Sequence, residues 1–173
     1  MTTDHDAAVA AAQLGRPTRG SISVARRCVY GLPVVIKTSP RLDDGSPFPT
    51  LYYLTCPVAV REIGRLEAAG EMRRYQDLLA HDDEMHAEYE RAHKRYKAQR
   101  DAIEDIGEVQ TAGGMPGRVK CLHALYAHDR ADANPIGASV SEQIEPLPCP
   151  GRCVVGDQPV RAAGHPGFRG KNR

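Results

Sequence analysis

Three cysteines and one histidine are the residues of this chain best suited to chemistry. Cys28 stands before the short connection Val29-Tyr30-Gly31-Leu32, Cys56 stands before Pro57, and Cys121 lies in Val119-Lys120-Cys121-Leu122-His123. On a helix advancing about 100° per residue, Cys121 and His128 fall within about 20° of one another, whereas His123 lies about 200° away from Cys121. His128 is therefore the expected fourth member of a Cys28, Cys56, Cys121, His128 set. Three thiolates and an imidazole suit a tetrahedral zinc ion, which would tie the sheet to the last helix of a domain with a modest core. The chain has no Cys-x-x-Cys knuckle, so the pattern is less specific than a zinc ribbon, and small buried cysteines are an equally good account of the three thiols. The same thiolates suit an iron–sulfur cluster less well, because such clusters favour closely spaced cysteines.

A second chemistry centres on Gly113-Gly114-Met115-Pro116-Gly117-Arg118-Val119-Lys120. A glycine-rich approach to a helix N-terminus offers backbone N–H donors, so Gly113 and Gly114 with Arg118 and Lys120 form a candidate anion site for a phosphate-containing small molecule. The segment lacks the Gly-Lys-Ser/Thr ending of a Walker loop, and a plain turn before a Pro-initiated helix is the simpler account of it. Beside such a site Cys121 becomes a candidate nucleophile, with His123 or His128 as base. The same thiol cannot serve as metal ligand and nucleophile in their simple forms. His81, His86 and His93 read as a solvated face, and Cys149-Pro150-Gly151-Arg152-Cys153 reads as incidental to its Pro- and Gly-rich surroundings.

The elements that would position these residues follow from periodicity. Thr3-Asp4 and the following alanines predict a short N-terminal helix or arm over residues 1–14. Ser21 to Ala25 alternates polar and apolar, Pro33 to Thr38 is a β-branched run, and Thr50 to Thr55 gives a third strand. An antiparallel meander of these strands brings Cys28 and Cys56 to one end. Amphipathic runs then predict about four helices. They start near Pro57, Met72, Asp82 and Pro116, and the third carries Met85, Tyr89, Ala92, Tyr96 and Ile103 among many charges. That charged helix, 82–105, is the expected surface for a protein partner. The fold class is thus α+β, with a single domain over 15–135 and a flexible tail, Pro- and Gly-rich from Pro146 onward, over 136–173.

Several phrases together resemble a known family. They are Gly15-Arg16-Pro17, the run Gly45-Ser46-Pro47-Phe48-Pro49-Thr50-Leu51-Tyr52-Tyr53-Leu54-Thr55-Cys56-Pro57, Arg65-Leu66-Glu67-Ala68-Ala69-Gly70, and Ala112-Gly113-Gly114-Met115-Pro116-Gly117-Arg118-Val119-Lys120-Cys121-Leu122-His123. They resemble the bacterial, mainly actinobacterial, domain-of-unknown-function family 501 over roughly Gly15 to Pro135. The resemblance implies a bacterial cytoplasmic setting and no particular reaction.

Composition sets outer bounds. The 173 residues carry 23 Lys plus Arg against 22 Asp plus Glu, for a net charge of +1, which provides no global attraction to nucleic acid or an anionic membrane. No apolar stretch is long enough to span a bilayer, and the acids at Asp4 and Asp6 do not suit a secretory leader, so a cytoplasmic location is expected. The reading that unites these features is a metal-stabilised binding or adaptor domain. Its alternative is a small enzyme or sensor for a phosphorylated ligand.

Overall fold

The computed structural model describes residues 4–109 and 111–160. Helix α1 (Asp4–Leu14) leads into strands β1 (Ile22–Arg27), β2 (Pro33–Thr38) and β3 (Tyr52–Leu54). Helices α2 (Pro57–Ala68), α3 (Glu71–His81) and α4 (Asp83–Asp101) follow, then α5 (Leu122–Ala131), α6 (Pro135–Ile144) and a hairpin of β4 (Val154–Val155) and β5 (Gln158–Pro159). The α+β class and the antiparallel meander are as expected, with the strands in the order β1-β2-β3.

Strand β2 is the centre of the sheet because Val34, Val35 and Ile36 make it apolar on both faces, and all three are buried. Pairing of Arg27 with Pro33 closes the first hairpin beside Cys28, while the Thr55 amide donates to the Val34 carbonyl at 2.9 Å. Those two bonds bring Cys28 and Cys56 to the same end of the meander, as the register argument requires. The N-terminal helix is a packed element, with Val9 and Ala10 buried and Asp6 held by two bonds of 2.7 and 2.8 Å from the Arg27 guanidinium.

Helix α4 follows its stripe. Tyr89, Ala92, Tyr96 and Arg100 are buried at intervals of three and four, so the apolar side of the charged helix faces the protein's own core. Its start is fixed by Asp82, whose side chain accepts the Met85 amide at 2.9 Å.

Two differences from the sequence reading matter for the site. The helix expected from Pro116 begins instead at Leu122, because the preceding segment closes on itself: Arg118 N–H donates to Gly114 O at 2.9 Å and Lys120 N–H to Gly113 O at 2.8 Å. Residues 135–144, placed beyond or at the edge of the domain by their Pro, Gly and Ser content, form α6. It buries Ile136, Val140 and Ile144 in the main core and is capped by Asn134, which accepts the Gly137 amide at 2.9 Å. The β4–β5 hairpin also falls in the stretch read as tail, and residues 161–173 lie outside the described residues.

Candidate metal centre

The structure redistributes the predicted ligands. His128 is fully buried, stacked on Tyr52 at 5.9 Å between centroids and edge-on to Tyr96 at 4.9 Å. The Asn134 amide nitrogen lies 3.3 Å from its Nδ1, which makes Nδ1 the acceptor and places the ring proton on Nε2, 3.5 Å from Asp132. Burial pushes its pKa down to about 4 despite Asp132. His128 is therefore a neutral core imidazole enclosed by tyrosines, and it does not join Cys121. Cys28 and Cys56 line a cleft, described below, that does not include Cys121.

Cys121 instead meets His123 and Glu67. The thiol is half-buried at the N-cap of α5, and its sulfur lies 4.0 Å from His123 Nδ1. The helical angle that separates positions 121 and 123 does not apply, because Cys121 precedes the helix with extended φ and ψ of −156° and 108°. Glu67 arrives from the last turn of α2. Its Oε1 accepts the first free amide of α5, Leu122 N–H, at 2.8 Å and lies 3.2 Å from His123 Nδ1. A carboxylate at a helix N-terminus satisfies an orphan donor and the positive end of the dipole, so the contact is a tertiary cap that fixes α2 against α5.

The imidazole is oriented from its other side. His123 Nε2 is 3.0 Å from the Val60 carbonyl, which only accepts, so Nε2 carries a proton. Nδ1 then faces the sulfur and the carboxylate oxygen. Three arrangements satisfy this contact: the Cys121 S–H donates to Nδ1, Nδ1 itself carries a proton, or a metal ion lies among the three atoms. Among the described residues, Glu67, Cys121 and His123 are the group whose ligand atoms all lie within 4.8 Å of one another. A ring N–H donated to a backbone carbonyl is also the usual outer contact of a metal-bound histidine. With 27% exposure for the His123 side chain and 23% for Glu67, the group is open to solvent on one side.

The electrostatics agree with the proton form. Burial raises the Cys121 thiol, but the His123 contact and the Ala124 amide outweigh it and bring its pKa below the usual thiol value. Burial lowers His123, yet Cys121, the Val60 carbonyl and Glu67 together lift it to about 9.

The glycine-rich candidate behaves differently. Gly113 and Gly114 both have positive φ, and a Cβ on Gly113 would stand 2.6 Å from Leu125 Cδ2, so the glycines allow the loop to lie against α5. Because the Arg118 and Lys120 amides bond within the loop and the Val119 amide donates to Gln76 at 3.0 Å, those donors do not point at an anion. Gly114, Arg118 and Lys120 do line a cleft of about 500 Å³ together with His93 and Lys97, whereas Gly113 is outside its lining. Lys97 is already paired with Glu108 at 3.3 Å and Asp101 at 3.6 Å.

Glu67 is the member of this candidate group that sequence reasoning missed. It appears as one more acid on an amphipathic helix, and its part in the site arises from the approach of a segment 56 positions away. The phrase Arg65-Leu66-Glu67-Ala68-Ala69-Gly70 was the available signal.

Fold and site together define an α+β domain with a half-open thiol, imidazole and carboxylate group between two helices. The chain belongs to the family described as "Protein of unknown function (DUF501)", whose model matches residues 24–142. That span includes all but the first two residues of the meander, α2 to α5 and most of α6. No curated protein and no solved structure matches the chain. Among the described residues no helix is long and apolar enough to cross a membrane.

Proposed function

We propose that this protein is a metal-binding domain in which Glu67, Cys121 and His123 hold one divalent ion of zinc's class. The observation that carries the reading is the convergence of Cys121 Sγ, His123 Nδ1 and Glu67 Oε1 on one point while His123 Nε2 is committed to the Val60 carbonyl. Three protein ligands of sulfur, nitrogen and oxygen leave a fourth tetrahedral position for water or a small ligand, as in zinc sites that act on a substrate. The chemistry such an ion supplies is polarisation of a bound oxygen. The chain's own part is to orient the imidazole through Val60, hold the carboxylate against the α5 amide and keep one side accessible. A cytoplasmic location and an adaptor role are compatible with this reading.

A second reading is favoured by one observation, the position of Cys121 at a helix N-cap 4.0 Å from an imidazole that accepts its proton. In the absence of metal the imidazole lowers the thiol's pKa and favours the thiolate, the reactive form of a cysteine nucleophile. One experiment separates the two. Alkylation of Cys121 by iodoacetamide is followed across pH in protein stripped of metal and in protein given one equivalent of zinc. The metal reading predicts that zinc suppresses alkylation at least tenfold and that His123→Ala abolishes the suppression. Equal rates with and without zinc overturn it and leave the nucleophile.

A further inference from the structure

Four of the five cysteines take no part in the site above, and they meet elsewhere. Cys28 follows β1, Cys56 stands at the N-cap position of α2, and Cys149 and Cys153 bracket the turn that leads into β4. All four line one cleft of about 330 Å³ between the first hairpin, the start of α2 and the C-terminal segment. They come from three stretches far apart in sequence, so the fold, not local spacing, brings them together.

Burial raises the Cys56, Cys149 and Cys153 thiols, Cys56 to about 11, so the charged form at these positions calls for a cation beside it. The side-chain amide of Gln13 donates to Cys153 Sγ at 3.5 Å. Gln13 itself is only 7% exposed, lines the same cleft, and keeps its Oε1 buried with no hydrogen-bond partner. Buried N–H donors aimed at sulfur are the outer contacts that hold metal-bound thiolates. Four neighbouring thiolates also repel one another unless a cation lies among them.

From this convergence we infer that Cys28, Cys56, Cys149 and Cys153 form a second, all-thiolate site for a zinc-class ion, which fastens the C-terminal segment to the meander. Soft sulfur ligands select zinc or iron over magnesium or calcium, and four of them make a closed structural site. The four sulfurs share the cleft without touching: no three of them lie within 4.8 Å of one another, and the Cys149 thiol is turned to donate to the Gly151 carbonyl at 3.3 Å. Closure on the ion redirects Cys149 and draws in its turn, which is attached to the rest of the fold by strands of only two residues.

The test uses the full chain carrying Cys121→Ser, which removes the thiol of the first site while serine still caps α5. Titration with Co²⁺ alone, without oxygen, should show uptake of about one equivalent with the intense sulfur-to-metal absorption of a tetrahedral tetrathiolate, displaced by Zn²⁺. Adding Cys149→Ser and Cys153→Ser should abolish that absorption. Because these variants could also weaken the fold, the four remaining thiols of the Cys121→Ser chain are counted with a disulfide reagent, and one equivalent of zinc should protect all four. An unshifted cobalt spectrum, an absorption that survives the double substitution, or four thiols that react at the same rate with and without zinc each overturn the proposal. Isolation with iron and sulfide in place of zinc overturns the assignment to a single ion. The Cys121→Ser background keeps this result independent of the Glu67, Cys121, His123 reading.

Discussion

His128 shows how packing decides what an imidazole does. On a helical wheel it aligns with Cys121, but in the fold its ring is enclosed by Tyr52 and Tyr96, and the charged groups nearest to it are Asp132, Asp129 and Arg95. Its folded pKa of about 4 lies below the ordinary 6.5, so the unfolded chain takes up the proton first. The stability this neutral ring contributes is complete above pH 6.5 and is lost as pH falls toward 4, by at most about 3 kcal/mol. Urea unfolding at pH 7 and pH 4.5 should therefore show a smaller acid loss in His128→Gln than in the parent chain, by about 1–2 kcal/mol. Equal acid losses in the two proteins would remove burial of His128 as the cause. His123, five residues earlier, has the opposite surroundings. A carboxylate, a thiol and a carbonyl face its two nitrogens, and these raise its affinity for a cation.

At the scale of elements, α5 and α6 meet at close range around Gly137. A Cβ on Gly137 would stand 2.1 Å from the Leu125 carbonyl oxygen and 2.6 Å from Asp129 Cβ, so the two helices meet backbone to backbone. Gly137→Ala must push them apart and should lower stability by about 3 kcal/mol or more, although alanine is the better helix former. A melting temperature unchanged by that substitution would contradict the packing. What the sequence made legible here follows from period. The β-branched run of β2 and the Tyr89-Ala92-Tyr96 stripe of α4 carry their own signal, and the meander register placed Cys28 and Cys56 at one end. Helix α6 was not read because Pro135, Gly137, Ser139 and Ser141 look like breakers. Its start signal, Asn134 before Pro135, and its spacing of four through Ile136, Val140 and Ile144 were present. The beginning of α5 was misplaced for a tertiary reason: Glu67 supplies its cap from another helix, and no local residue marks the boundary.

Across the whole molecule, the candidate sites lie at the junctions between elements. Glu67 and His123 join α2 to α5, and the four remaining cysteines join the meander and α2 to the C-terminal segment. In a chain of 173 residues with 5% aromatic content, ions bound at such junctions would add stability that grows with the logarithm of free ion over its Kd, so on the proposed reading metal removal should lower the melting temperature of the intact protein. Why Cys121 paired with neither Cys28 nor Cys56 is a matter of topology, since the extended residue before α5 turns its thiol toward the end of α2. The most direct test is a comparison of zinc content per chain in the full-length protein and in Cys121→Ser, both purified without oxygen or added metal. The account predicts about one zinc ion fewer per chain in the variant, with the same deficit in His123→Ala. Equal zinc in all three proteins, or none in the parent chain, would contradict a metal centre built on Glu67, Cys121 and His123.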